Sequence, residues 1–172
     1  VSDWQGTNNR ERTGLMTNTT YAWYIKARNA EMPIPIETAY HGPVLKATNI
    51  EPVPGCEFIV GSSSIGVRAT GSYTNLEHGL SGIRYAITTD STNWVNMGNS
   101  TNVWVKSNGE YHYFSVFNGE NEVLTPNATY YLLSNSRNYD GVWSGTTSIY
   151  TKVTLPTIPL SPQLGLKYET YY

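Results

Sequence analysis

The sequence predicts an all-β chain built as tandem β-sandwich modules, one of them complete and one or two of them partial. Three observations lead to this prediction. Period-two alternation and short runs of β-branched and aromatic residues dominate the chain, and helical periodicity is almost absent. Turn residues separate these runs at intervals of about 8–12 residues, as in a sandwich. A short motif also occurs twice, at a spacing of about one sandwich domain.

The repeated motif reads Leu-x-x-Asn-x-Thr-Tyr. Its first copy runs from Leu15 to Tyr21 and its second from Leu124 to Tyr130, so the tyrosines lie 109 positions apart (130 less 21). An aromatic, alternating stretch follows each copy. A repeat of this kind is typical of a tandem array, which favours a scaffold or binding role over catalysis.

Composition places the chain among secreted and cell-surface β-proteins. Hydrophobic residues make up 39% of the 172 residues, which is enough for a packed core. Only 14% are charged, while Asn, Thr, Ser and Gly are abundant. Tyr, with 14 copies, is the main aromatic residue, and its polar hydroxyl suits half-buried strands. We therefore expect an extracellular or cell-surface location.

Charge and hydropathy exclude two classes of partner. The formal net charge is −2 and the basic residues are scattered, so we expect no binding to nucleic acid. No apolar stretch reaches the roughly 18 residues of a membrane span, and no signal peptide is recognisable.

Residues 1–50 predict the C-terminal half of a sandwich. We expect three strands, one around Trp4 and two at 20–28 and 40–48. Three strands cannot close a sandwich, so one apolar face needs a cover. This face consists of Trp23, Ile25 and Val44. The missing strands would come from the same polypeptide or, by strand donation, from another subunit.

Residues 51–156 predict the complete sandwich, and residues 157–172 a linker and the start of a further module. Prolines make 49–55 a stiff, extended connector. We expect seven strands in the complete module, at 56–60, 65–70, 83–89, 103–105, 111–117, 129–136 and 148–154.

The second copy of the motif resembles the tyrosine corner of fibronectin type III domains. It carries Leu124, Pro126 and Tyr130 in the pattern of that family, and residues 138–144 resemble the loop of the family's last hairpin. The resemblance implies that the tyrosine hydroxyl bonds back to the backbone near the leucine.

The first copy resembles the same corner. It keeps Leu15 and Tyr21 but has Thr17 in the place of proline. Residues 81–121 are in turn similar to bacterial immunoglobulin-like repeats, through four spaced elements in the same order. The two resemblances together imply a spacer and assembly module of a surface layer, filament or adhesin. Its partners would be copies of itself or adjacent domains of the same parent protein.

We expect no catalytic, cofactor or metal site, and hence no enzyme. The three histidines lie far apart and form no zinc motif, and no nucleophile elbow or facing carboxylate pair is present. Asp90 and Asp140 lie in turns that lack the acidic pattern of a calcium loop. Cys56 is the only cysteine, so it forms no disulfide within the chain.

Three asparagines fit the acceptor rule for N-glycosylation: Asn18, Asn99 and Asn127. Because Asn and Thr are also favoured in the turn of a tyrosine corner, the matches at Asn18 and Asn127 have a structural explanation as well.

Aromatic residues in loops suggest a second function. Tyr139 and Trp143 fall in a loop at one end of the predicted sandwich, and Trp94 follows a polar turn. Together they would form a platform for a glycan or a receptor, as in an adhesin or a phage tail protein. The alternative is that Trp143 folds back over the edge of the sheet.

Overall fold

The computed structural model describes residues 4, 6, 10–30, 33–90, 101–117, 122–145 and 148–158. Trp94, Asn99 and most of 157–172 therefore lie outside the described residues. Within these ranges the chain has eleven strands and no helix, and so no helix that could span a membrane. The strands are β1 (Thr20–Ile25), β2 (His41–Ala47), β3 (Cys56–Val60), β4 (Ile65–Ala69), β5 (Gly82–Thr88), β6 (Thr101–Val105), β7 (His112–Phe114), β8 (Val116–Phe117), β9 (Glu122–Val123), β10 (Thr129–Arg137) and β11 (Ser148–Val153).

Two antiparallel sheets form the main module. One has the order β11-β10-β5-β6 and the other the order β3-β4-β7. Between the sheets, the Tyr85 hydroxyl of β5 accepts a hydrogen bond from the Ala69 N–H of β4 at 2.7 Å. The ring of Phe58 on β3 packs against Tyr150 on β11, with 5.1 Å between ring centroids. The predicted all-β, immunoglobulin-like sandwich fold is confirmed.

The inward side chains of both sheets form one core. Members on the strands include Ile65, Val67, Ile83, Ile87 and Leu132. The alternation of apolar and polar residues that predicted the strands thus places the apolar set between the sheets.

The proline-rich segment ahead of β3 also belongs to this core. Ile50 and Val53 are only 5% and 3% exposed and pack in the same cluster. Burying side chains of this size stabilises a fold by about 1.5–3 kcal/mol each. Ile50 and Val53 therefore anchor the predicted stiff connector to the sandwich that follows it.

One predicted strand is divided in the structure. The expected strand 111–117 is two strands, because β7 pairs with β4 while β8 pairs with β9. The change of partner occurs at Ser115, whose carbonyl accepts from the Leu124 N–H at 3.0 Å. The predicted strand around Trp4 falls largely on residues outside the described ranges. The Arg28 guanidinium lies over the Trp4 ring, 4.4 Å from its centroid, in a cation–π contact.

The first segment contributes a two-stranded sheet. β1 and β2 pair antiparallel, with Trp23 opposite Val44 and a bulge before Ile25. These three side chains, which form the apolar face expected to need a cover, are exposed to solvent.

Candidate functional site

Both copies of the repeated motif fold as tyrosine corners. The Tyr130 hydroxyl accepts a hydrogen bond from the Thr125 N–H at 2.8 Å. The Tyr21 hydroxyl accepts from the Met16 N–H at 3.0 Å, at the matching position of the first copy. The leucines differ, since Leu124 is buried in the core and Leu15 is only half-buried.

A threonine from the end of the following strand completes each corner. The Thr48 hydroxyl accepts from the Thr19 N–H at 3.0 Å, and the Thr154 hydroxyl accepts from the Ala128 N–H at 2.9 Å. Each hydroxyl also donates to a carbonyl of its own corner at 2.6 Å. The two corners therefore share one hydrogen-bond pattern, which includes residues outside the sequence motif.

The asparagine of each corner adopts the left-handed conformation. Its φ is 45° at Asn18 and 54° at Asn127. Asparagine tolerates this region better than most residues, which explains its place in both copies. The surroundings differ, because Asn18 is only 2% exposed whereas Asn127 is exposed to solvent.

The Asn18 carboxamide connects the first corner to one end of the main sandwich. Its Nδ2 donates to the carbonyl oxygens of Thr74 and Asn75 at 2.8 and 3.1 Å. Its Oδ1 accepts from the Ser81 hydroxyl and the Tyr139 N–H, both at 3.0 Å. The side chain of Asn75 returns a hydrogen bond to the Asn18 carbonyl at 3.2 Å. Every donor and acceptor of the carboxamide thus has a partner in the other segment.

Residues of the last hairpin loop add further bonds across the same contact. The Asn138 Nδ2 donates to the Thr48 carbonyl at 3.0 Å. The Asp140 carboxylate accepts from the Ala47 N–H at 3.1 Å. We call this contact, between the first corner and the Thr74, Asn75, Ser81 and 138–140 end of the sandwich, the joint. Sequence reasoning missed it because its partners lie up to 121 positions apart.

The joint bears on the glycosylation predictions. The Asn18 nitrogen that would carry a glycan donates two hydrogen bonds inside the joint. Glycosylation of Asn18 and formation of the joint therefore exclude each other. Asn127 is exposed, and Asn99 lies outside the described residues.

Trp143 folds against the sheet that carries β5, β6 and β10. Its ring packs on Trp104, with 5.3 Å between centroids, and the Arg84 guanidinium lies 4.7 Å above it. The Arg137 guanidinium in turn lies 3.6 Å from the centroid of Trp104. The four side chains form one stack, in which Arg84 and Arg137 flank the two indole rings, and we call it the Arg–Trp ladder.

Electrostatics explains the composition of this ladder. Burial, and then the charge of Arg137, lower the pKa of Arg84. In the described part of the chain the Nε atoms of both arginines are buried without a hydrogen-bond partner. The negative faces of the indole rings offset part of this cost by attracting the guanidinium groups.

Of the three aromatics predicted to contact a ligand, the structure describes two, and these two take part in different contacts. Tyr139 lies at the joint, where its N–H bonds Asn18 and its ring covers Gly79 so closely that a Cβ there would lie 2.8 Å away. Trp143 belongs to the ladder, and Trp94 is outside the described residues. Tyr139 and Trp143 remain 40% and 44% exposed.

Among the described residues, no group of three or more His, Cys, Asp and Glu side chains could hold a metal ion. The Cys56 thiol is partly buried between the sheets, and burial raises its pKa. His112 packs edge-on against Phe114, and burial lowers its pKa. Both are packing residues of the sandwich.

No protein-family model matches this chain, and no curated protein gives a significant match. Among solved structures, the chain is similar to the extracellular region of rat CD45, domains d3-d4, at 14% sequence identity and a TM-score of 0.45. The match covers 90% of this chain and 74% of that one. The fold assignment rests on the strand order and pairing described above.

Proposed function

We propose that this chain is a structural segment of a large extracellular surface protein, where it acts as a spacer and assembly module. The joint carries the proposal. A spacer must transmit orientation from one module to the next, and the joint is suited to that task because directional bonds converge on the single side chain of Asn18.

The energy and geometry of the joint support a fixed angle between the segments. A hydrogen bond within a protein contributes about 0.5–1.5 kcal/mol, and a buried group that loses its partner costs about 1–3 kcal/mol. The chain that connects the two segments is also fixed on both sides. Asn49 accepts a hydrogen bond from the Asn18 N–H, and Ile50, the next residue, is buried in the sandwich core.

Composition and resemblance support the cellular setting. The sequence is poor in charge and rich in Asn, Thr, Ser and Gly, and residues 81–121 resemble repeats of bacterial surface proteins. We infer a parent protein of the surface-layer, filament or adhesin type. Its partners are adjacent modules of the same polypeptide or neighbouring copies.

Backbone relaxation by NMR tests the spacer role on the intact chain. Residues 20–47 and 56–153 are expected to tumble with one rotational correlation time. Asn18→Gly keeps the left-handed turn but removes the carboxamide, so the first segment should then tumble faster. Asn127→Gly is the matched control and should leave the correlation time unchanged. Independent tumbling of the two segments in the wild-type chain would contradict the proposal.

Labelling of intact cells tests the location. An antibody against this chain is expected to stain cells of the source organism without permeabilisation. Staining that requires permeabilised cells would rule out a surface role.

A glycan- or receptor-binding module is the second candidate, favoured by the remaining exposure of Tyr139 and Trp143. A glycan array probed with the intact chain and with Trp143→Ala separates the candidates, with circular dichroism to verify folding. Binding that the folded variant loses favours this alternative. No binding by either protein favours the spacer.

A further inference from the structure

We propose that the second tyrosine corner, centred on Asn127, is the docking site for a further module that carries the same acceptor end as the sandwich described here. The proposal rests on the spacer function and names the partner that the function requires. The occupant is a second sandwich of this kind, joined in series.

The two corners present the same structure to a partner. Beyond the shared tyrosine and threonine bonds, the strands around them pair in the same register, with Thr20 opposite Ala47 and Thr129 opposite Val153. The Asn127 N–H donates to the Leu155 carbonyl at 3.3 Å, as the Asn18 N–H donates to the Asn49 carbonyl at 3.0 Å. The matching backbone therefore gives the Cα–Cβ bond of Asn127 the same place in its corner as that of Asn18 in the first.

The acceptor end is chemically selective for such a side chain. It offers two carbonyl oxygens, of Thr74 and Asn75, next to two donors, the Ser81 hydroxyl and the Tyr139 N–H. Two acceptors beside two donors match a carboxamide. A carboxylate would face the two carbonyls without protons to donate, and an ammonium group has no acceptor for the Tyr139 N–H.

A proline-containing segment with two apolar side chains follows each corner. These side chains are buried after the first corner and exposed after the second. Ile50 and Val53, which follow the first corner, are buried in the next sandwich. Leu155 and Ile158, which follow the second, are exposed, Ile158 to 91%. An apolar side chain with this exposure, in a proline-containing segment, is suited to the core of a following module.

A tandem fusion tests the proposal. Residues 1–155 are followed directly by a second copy of residues 50–158, so that Leu155 takes the place of Asn49. Limited proteolysis then measures the opening of each junction through the cleavage rate at 48–54 and at its counterpart after Thr154. We expect both junctions to be protected in the wild-type fusion.

Substitution of the corner asparagines then identifies the contact. Asn127→Gly should raise cleavage at the second junction tenfold or more and leave the first unchanged, while Asn18→Gly should do the reverse. Asn127→Asp, which keeps the shape but loses the two donors, should act like Asn127→Gly.

The outcomes separate the two proposals. If only Asn18→Gly has an effect, the docking proposal is overturned and the spacer function stands. If neither substitution opens its junction, both fail. A wild-type fusion cut at the second junction as fast as its Asn127→Gly variant also overturns the docking proposal.

Discussion

At the scale of single residues, the two corners share one hydrogen-bond pattern, but only the Asn18 carboxamide is bonded to the main sandwich. Replacing it measures the strength of the joint. Asn18→Gly is expected to lower the free energy of unfolding by about 2–3 kcal/mol more than Asn127→Gly, because it removes four bonds and leaves the buried Ser81 hydroxyl without its acceptor. The two glycines share the backbone effect, since both positions have positive φ. Urea denaturation followed by tryptophan fluorescence measures the difference, and equal values for the two variants would contradict this account.

The tyrosine hydroxyls give a second prediction at this scale. Tyr130→Phe should cost about 1–2 kcal/mol, because Tyr130 is only 1% exposed and its loss leaves the Thr125 N–H without a partner. Tyr21→Phe should cost about 0.5 kcal/mol or less, since its bond to Met16 is exposed and water replaces it. Thermal unfolding of both variants measures which loses more stability. A larger loss for Tyr21→Phe than for Tyr130→Phe would contradict the view that burial of the hydroxyl decides the cost.

Local motifs are visible in a sequence at this scale, and distant partners are not. The Leu-x-x-Asn-x-Thr-Tyr pattern places Tyr130 within five residues of its bond partner. Thr154 lies 26 positions from Ala128, whose N–H donates to its hydroxyl, and Thr74 lies 56 positions from Asn18. Since the motif says nothing of such distances, the completed corner and the joint emerge only from the fold.

At the scale of elements, the Arg–Trp ladder fastens the last hairpin loop to the outer face of the four-stranded sheet. A double-mutant cycle with Arg137→Met and Trp104→Phe should give a coupling of about 1 kcal/mol, because the two groups lie 3.6 Å apart and Arg137 is half-buried. The pair of Arg68 and Tyr111, with a longer separation of 4.6 Å, is the comparison and should couple more weakly. A coupling near zero for the first pair would show that the ladder is only steric packing.

The strands were predicted correctly where the alternation of apolar and polar residues alone sets their bounds. The prediction failed where a change of pairing partner ends a strand. The runs at Cys56–Val60 and Ser148–Val153 appear as strands within a residue of the expected bounds. The run 111–117 is rich in β-forming residues throughout, so nothing in it marks the change of partner at Ser115. For Trp143 the sequence left two alternatives, a ligand platform or packing over the edge of the sheet. It could not identify Arg84 and Arg137 as partners, because they lie on two strands that are distant from each other in sequence.

At the scale of the whole molecule, buried tyrosines set an alkaline limit to stability. Burial raises the pKa of Tyr85 to about 12 and also raises that of Tyr73. A raised folded-state pKa means that these groups stabilise the fold fully below about pH 10, the pKa of unfolded tyrosine, and that this contribution is lost as the pH rises from there.

We therefore expect alkaline unfolding to begin above about pH 10 and to coincide with ionisation of the buried tyrosines. Absorbance at 295 nm, recorded together with far-ultraviolet circular dichroism, measures both events. Tyr85→Phe should make the loss of stability with pH less steep. Ionisation of Tyr85 well below pH 10 in the folded chain would contradict its placement between the sheets.

The relation between the two segments was the least predictable property of the whole molecule. Repetition and composition predict modules in series, but they set no angle between them. In the structure the joint uses every polar atom of the Asn18 side chain, and the buried residues Ile50 and Val53 follow it in the chain. The difference is physical, since an interface depends on three-dimensional shape that repeated sequence does not encode locally.

Hydrogen exchange at one amide tests the central claim, that Asn18 locks the two segments together, most directly. The Tyr139 N–H donates to the Asn18 Oδ1 across the joint at 3.0 Å. In the intact chain this amide should exchange slowly, and Asn18→Gly should accelerate its exchange tenfold or more while leaving the core amide of Leu132 unchanged. Equal exchange rates for Tyr139 in the wild-type chain and the variant would contradict the claim.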